Sequence, residues 1–150
     1  MEPIRVLHNI ASLHFGGSQA FVMNIYNNID REKVQFDFIV TPEDRKDLYE
    51  QVEQMGGRVF VCPKYTSKNH FAYCKWWDSF FKEHPEYHVM HGHVRSTAAI
   101  YLRIAKKHGL VTIAHSHSTS NGNGISAIVK DMLQLPIRRT ADYLFACSDK

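Results

Sequence analysis

The chain has 150 residues, 44% of them hydrophobic and 22% charged, with a formal net charge of +3 at pH 7. That length holds one domain with a real core, the composition is ordinary for a globular protein, and the charge is too small to argue for nucleic acid. Three cysteines, Cys62, Cys74 and Cys147, show no CxxC spacing; an odd count excludes a complete disulfide framework and favours reduced, buried thiols in a cytoplasmic protein. MEPIRVLHNI does not read as a signal peptide. No apolar stretch approaches the ~20 residues of a membrane span, which leaves peripheral membrane contact open.

In chain order, IRVLHNI predicts a buried strand from Ile4 to about Ile10. After the loop ASLHFGG, Val22, Ile25, Tyr26 and Ile29 share one helical face, with Ser18 as the candidate cap. VQFDFIV alternates as a second strand, and Leu48, Val52 and Met55 mark a helix that Gly56 and Gly57 can end. RVFVC is a third strand, stopped by Pro63. Phe71, Cys74, Trp77 and Phe81 then recur at helical spacing. Such a stripe could stack bases, but core packing is the ordinary outcome.

YHVMH is the fourth strand. STAAIYLRIAKKHG is a helix with Ser96 as candidate cap and Gly109 as its stop. LVTIAH is the fifth strand. Ile125, Ile128, Val129, Met132 and Leu133 form an apolar face that Pro136 ends, and DYLFACS is the sixth strand. Strict alternation of strand and helix implies an α/β fold of about six parallel strands, doubly wound with helices on both faces. Strand six ends with no helix after it, so the chain reads as the first half of something longer.

Ligands of such sheets sit beyond the carboxyl ends of the strands. Strand one delivers His8 and Asn9 there, strand four His91, His93 and Arg95, and strand five His115, His117 and Ser118. With strand order 3-2-1-4-5-6, the two HxH pairs become neighbours on one crevice. HxH on a strand sends both imidazoles to one side, which suits zinc, but no Asp or Glu stands in either loop to orient them. A set of His, Arg, Ser and Asn suits a polyol or a phosphate better than a cation. HFGGSQ, between a strand and a helix, can approach phosphate with its backbone or be a plain turn. It is neither GxGxxG nor a phosphate loop ending in GKS or GKT. No GxSxG elbow is present, and Cys147 reads as buried. His108 and His88 read as a helix end and a sheet residue, His70 and His84 as solvated helix ends.

IRVLHNIASLHFGGSQAFVMNIY resembles the opening of glycosyltransferase family 4 enzymes of the GT-B fold, above all bacterial capsular and exopolysaccharide glycosyltransferases. YLRIAKKHG, IAHSHST and DYLFACSDK are similar to the same subfamily. The resemblance covers residues 1–150, and only the N-terminal half of such an enzyme. It implies a Rossmann-like, acceptor-side domain of a retaining, hexosyltransferase-type enzyme that moves a sugar from a nucleotide-sugar donor to a saccharide or lipid-linked acceptor. Gly16 and Gly17 would approach the donor diphosphate. His117, with His115 as fallback, would lie near the transferred sugar, and His93, Arg95, His115, Ser118 and Asn121 would serve the acceptor. No cofactor and no essential metal are implied; the expected compartment is the cytoplasm, with contact at the inner face of the membrane left open. The family's Gly-Gly loop continues with a small residue and an acid, where this chain has Ser18 and Gln19. Its donor-holding glutamate pair, on a C-terminal domain, has no counterpart before Lys150, so this chain alone is expected to be inactive. The competing readings are a metal-binding hydrolase built on the HxH pairs and a non-catalytic binding domain.

Overall fold

A computed structural model describes residues 2–117 and 136–146. Six strands form one parallel sheet in the order β3-β2-β1-β4-β5-β6. They are β1 (Ile4–Ala11), β2 (Val34–Val40), β3 (Val59–Val61), β4 (Tyr87–Gly92), β5 (Val111–Ser116) and β6 (Tyr143–Ala146). The helices are α1 (Gly17–Asn28), α2 (Tyr49–Gln54), α3 (His70–Glu83) and α4 (Arg95–Lys107), with one further turn at Ile137–Thr140. The expected doubly wound α/β sheet is therefore present. The helix expected over Ile125–Leu133, and with it Ser118, Asn121 and Cys147, lies outside the described residues.

Alternation along the strands divides the core in two. On one face Ile10, Phe36, Phe38 and Val40 pack under Val22, Met23 and Tyr26 of α1 and Val52 of α2. On the other, Leu7, Ile39, Met90 and Ala114 pack under Tyr73, Trp77, Phe80 and Phe81 of α3 and Ala98, Tyr101 and Leu102 of α4. The aromatic stripe of α3 is thus core, although its members differ from the sequence spacing. Phe71 is 88% exposed because it lies in the first turn, while Tyr73 and Phe80 take the inward positions. Likewise Ile25 of α1 is partly exposed, and Gln19 and Met23 complete the buried face.

Two expected caps do not form. Helix α1 starts at Gly17, so Ser18 stands inside the first turn and its hydroxyl donates to Gln19 Oε1 at 3.0 Å. Helix α4 starts at Arg95 with Val94 at its cap position, which places Ser96 two residues too late to cap it. Gly109, at φ 83°, ends α4 as expected. His108 closes that helix and meets Asp78 Oδ1 at 2.8 Å. His84 is partly covered: its ring packs on Phe60 and Phe80, with centroids 4.9 and 4.5 Å away, and a quarter of the side chain reaches solvent. The His70 ring meets the Tyr65 hydroxyl at 3.2 Å.

At the amino ends of the strands, Asp37 is buried within an ion-pair network. Its carboxylate accepts from Arg5 at 2.6 and 2.7 Å, from Arg58 at 3.0 and 3.2 Å, from the Arg58 backbone N–H at 2.7 Å and from the Tyr87 hydroxyl at 2.7 Å. Cys62 is 3% exposed, and burial pushes its thiol up to about 11, which makes it unreactive at neutral pH. Among the described residues no helix is long and apolar enough to cross a membrane.

Candidate functional site

The register brings the chemistry-bearing residues together. His8 of β1 pairs with His91 of β4, and β4 runs beside β5 with His91 opposite Ile113. Alternation then puts His8, His91, His93, His115 and His117 on one sheet face at the carboxyl edge. Their nitrogens touch in pairs. His8 Nδ1 lies 3.1 Å from His93 Nε2, His93 Nδ1 lies 2.7 Å from His117 Nε2, and His91 Nε2 lies 3.3 Å from His115 Nδ1. His91 stacks on His115 with planes 8° apart, and Phe21 of α1 meets His115 edge-on at 5.2 Å.

The residue between the first pair of histidines has to be small. A Cβ on Gly92 would lie 2.2 Å from the Tyr101 hydroxyl and under 3 Å from two of its ring carbons. Tyr101 is fully buried on the far face, and its hydroxyl is tied to the Val94 carbonyl at 2.9 Å. The His93 N–H donates to the Asn9 carbonyl at 2.9 Å, which fixes the end of β4 to β1.

The row is held neutral. Burial, and then the facing imidazoles, push His8 and His93 well below the usual histidine range. His91 falls to about 4 for the same reasons. His115 is lowered by burial and by His117, and His117 by burial alone. Clustered imidazoles cannot share a low-dielectric site as cations. What remains is a set of uncharged groups that donate and accept hydrogen bonds.

The loop after β1 forms the next wall. Ala11 turns the corner at φ 65°, a left-handed conformation that costs a residue with a Cβ, and its carbonyl accepts from the Thr41 N–H at 2.7 Å. The Asp44 carboxylate accepts from the Leu13 N–H at 3.0 Å, and Ser12 Oγ meets His14 Nδ1 at 2.6 Å. Gln19, at the position where the resemblance leads one to expect an acid, is buried and donates to the Ser12 carbonyl at 3.1 Å. Its role in the fold is to tie the loop to α1. Gly16 precedes the first turn of α1, and a Cβ on Gly17 would meet nothing within 4 Å. Packing therefore does not require a glycine at position 17.

Of the expected site residues, His93, His115 and His117 come together on the sheet face. Arg95, the first residue of α4, lines a cavity of about 500 Å³ with Gly92, His115, Ser116 and Arg138 beside β6. Gly16 and Gly17 stand at the start of α1, whose Phe21 reaches the histidines. The sequence puts His8 and His91 at this edge without giving either a ligand role; their contacts with His93 and His115 follow from the register of β1 against β4 and of β4 against β5.

Two overlapping triads, His8–His91–His93 and His93–His115–His117, hold ring nitrogens within 4.8 Å of one another, and the donor type suits zinc. Zinc–nitrogen bonds of about 2.0–2.1 Å in a tetrahedron hold ligand nitrogens about 3.3 Å apart. The 2.7 Å contact of His93 with His117 is shorter than that and fits a hydrogen bond.

An open parallel sheet in this strand order, with polar groups gathered at the carboxyl ends of its central strands, is a Rossmann-like α/β domain. The crystal structure of Acinetobacter baumannii MurG shares this fold, with a TM-score of 0.61, 10% identity, and coverage of 96% of this chain and 41% of that one. Glycosyl transferase 4-like domains match residues 16–150, and the chain belongs to that family. It is 32% identical over 151 aligned positions to EpsF of Bacillus subtilis (strain 168), whose name carries glycosyltransferase as a provisional assignment. The alignment covers 97% of this chain and 39% of EpsF, so the chain spans well under half the length of that relative.

Proposed function

We propose that this chain is the acceptor-side domain of a retaining, hexosyltransferase-type glycosyltransferase, which moves a sugar from a nucleotide-sugar donor to a polysaccharide or lipid-linked acceptor. The observation that carries the reading is the row of neutral imidazoles at the carboxyl edge, adjoining a helix start with open space over Gly17. Gly16 and Gly17 let the donor diphosphate approach the amino end of α1, where backbone N–H groups favour anions. Arg95 and His115, with Ser118 and Asn121 beyond the described residues, take the acceptor; His93, expected beside them, has both ring nitrogens engaged by His8 and His117 and supports the row instead. His117 stabilises the charge that builds on the departing diphosphate and the reacting sugar by hydrogen bonding. A second domain holds most of the donor, so residues 1–150 alone turn over nothing. The work is done in the cytoplasm, at the inner face of the membrane.

In the complete enzyme, His117→Ala should lower kcat by about 10²–10³-fold, the usual cost of one donor to a transition-state charge. Its circular dichroism and melting should match the parent. An unchanged kcat would end the assignment. No step in this reading passes through a metal, so a chelator should leave kcat as it was. Loss of activity on chelation, restored by zinc, would put a metal on the two histidine triads and end the metal-free reading.

A further inference from the structure

The outer side of α4 carries charge that the histidine row does not use. Arg103, Lys106 and Lys107 stand at i, i+3 and i+4, so they share one exposed side of the helix, while Ala98, Tyr101, Leu102 and Ala105 face the core. The turn at Ile137–Thr140 sets Arg138 and Arg139 beside them. With Pro136 and Thr140 these five cations line a broad cavity of about 910 Å³. Its backing is fixed. Ile137 is buried in the α3–α4 core, and the Thr112 hydroxyl donates to the Thr140 carbonyl at 2.8 Å.

Five cations exceed the formal net charge of +3 of the whole chain, so the other residues sum to a negative charge and the positive field is concentrated here. The carbonyl end of α4 favours Lys106 and Lys107. It does not account for Arg103, a turn earlier, or for Arg138 and Arg139, which come from another segment. Of the five, only Lys106 forms an ion pair among the described residues, with Asp142 at 2.6 Å. A pocket for one small anion gathers its donors round a point and buries them. Here every cation is exposed and the set is spread over two elements, which suits an extended anionic surface. Arg138 also lines the cavity that holds Arg95 and His115. The basic face therefore runs on into the wall of the candidate site.

We propose that the outer side of α4, with the turn at Ile137–Thr140, docks the protein on a membrane of anionic lipid. This rests on the reading that the enzyme works at the inner face of the membrane on a lipid-linked acceptor. Headgroup phosphates meet the Lys and Arg side chains, and each cation near such a surface strengthens binding about fivefold. Salt screens the attraction beyond about 8 Å at physiological ionic strength, so the contact forms at close range and is reversible. Docked on this face, the molecule holds the cavity of Arg95 and His115 beside the bilayer. A lipid-linked acceptor then reaches the site without leaving the membrane.

The test is sedimentation of the complete protein with vesicles of phosphatidylglycerol in phosphatidylcholine, and with phosphatidylcholine alone, at low and high salt. The expected result is binding to the anionic vesicles only, released at high salt. Arg103→Gln/Lys107→Gln/Arg139→Gln should weaken it about 100-fold. Lys46→Gln/Lys68→Gln/Lys75→Gln removes the same charge from exposed positions elsewhere and should stay within about fivefold of the parent. Both variants should keep the parent's melting temperature. No binding by the parent, binding kept in the first variant, equal loss in the two, or equal binding to neutral vesicles overturns the proposal. So does saturable binding of inorganic pyrophosphate at this face without vesicle binding, which would make it a small-anion site. Vesicle binding is read without any assay of transfer, and His117→Ala should bind as the parent does. Full activity in His117→Ala would therefore sink the catalytic reading and leave the docking face standing.

Discussion

Gly92 shows how one residue can serve two faces of a sheet. The histidines on either side of it point toward the site, and the missing side chain of Gly92 admits Tyr101 from behind. Gly92→Ala would drive a Cβ to 2.2 Å from a hydroxyl that is itself fixed to the Val94 carbonyl. Neither group can retreat cheaply, because Tyr101 is fully buried in the α3–α4 core. The variant should lose about 1–3 kcal/mol of stability, as overpacked cores do. Urea unfolding would read this directly, and a midpoint equal to that of the parent would show that the strand moves freely. The HxH spacing in the sequence announced that both imidazoles share a side. It could not announce Tyr101, whose contact with Gly92 spans a strand end and a helix. Nor could it place His8 in the row, since that depends on the register of β1 against β4.

At the scale of elements, the alternation of strand and helix is readable from the sequence, and the strand order assumed for such a sheet is the one observed. Helix starts are not readable in the same way. Ser18 and Ser96 look like caps by residue type, yet α1 and α4 each begin a residue earlier, at Gly17 and Arg95, with no side-chain cap. Tertiary packing of the apolar faces outweighs the roughly 1 kcal/mol a cap contributes. The Asp37 network was also invisible beforehand, because it joins β1, β2, β3 and β4 through residues scattered along the chain. Asp37→Ala would leave Arg5, the Arg58 backbone N–H and the Tyr87 hydroxyl without their shared acceptor. The expected loss is about 3 kcal/mol, at the low end for a broken buried pair because both guanidinium groups reach solvent. Chemical denaturation measures it. A change below the error of the extrapolation would mean that water replaces the carboxylate at no cost.

For the whole molecule, the histidine row makes stability depend on pH in a predictable direction. Each of the five has a folded pKa below its unfolded value, so the unfolded chain binds more protons as the solution is acidified. Stability is complete above the unfolded histidine pKa of about 6.5 and falls as pH drops below it. For His91 the loss continues until pH reaches about 4. The well-buried His8, His91 and His93 each contribute up to about 1.4 kcal/mol per pH unit within their windows, and His115 and His117 less because solvent screens them. The melting temperature should therefore be flat from pH 8.5 to 7 and fall steeply from pH 6.5 to 5. The paired carboxylates, such as Asp142 at about 2, titrate lower and do not share this range. A melting temperature that stays level down to pH 5 would show that the imidazoles are open to water.

The contact of Tyr101 with Gly92 also bears on how a domain like this can change its ligand over generations. His93 and His115 can be exchanged singly, because each stands at the end of a strand on the face where α1 and the loop after β1 close the site. Sliding β4 by one residue cannot be tolerated, since it would bring a side chain against the tyrosine. New preferences must therefore arise by altering the identities along a fixed row, or by remaking the loops around it. Variation sampled across descendants should be rich at Phe15, which is 79% exposed, and nearly absent at positions 92 and 101.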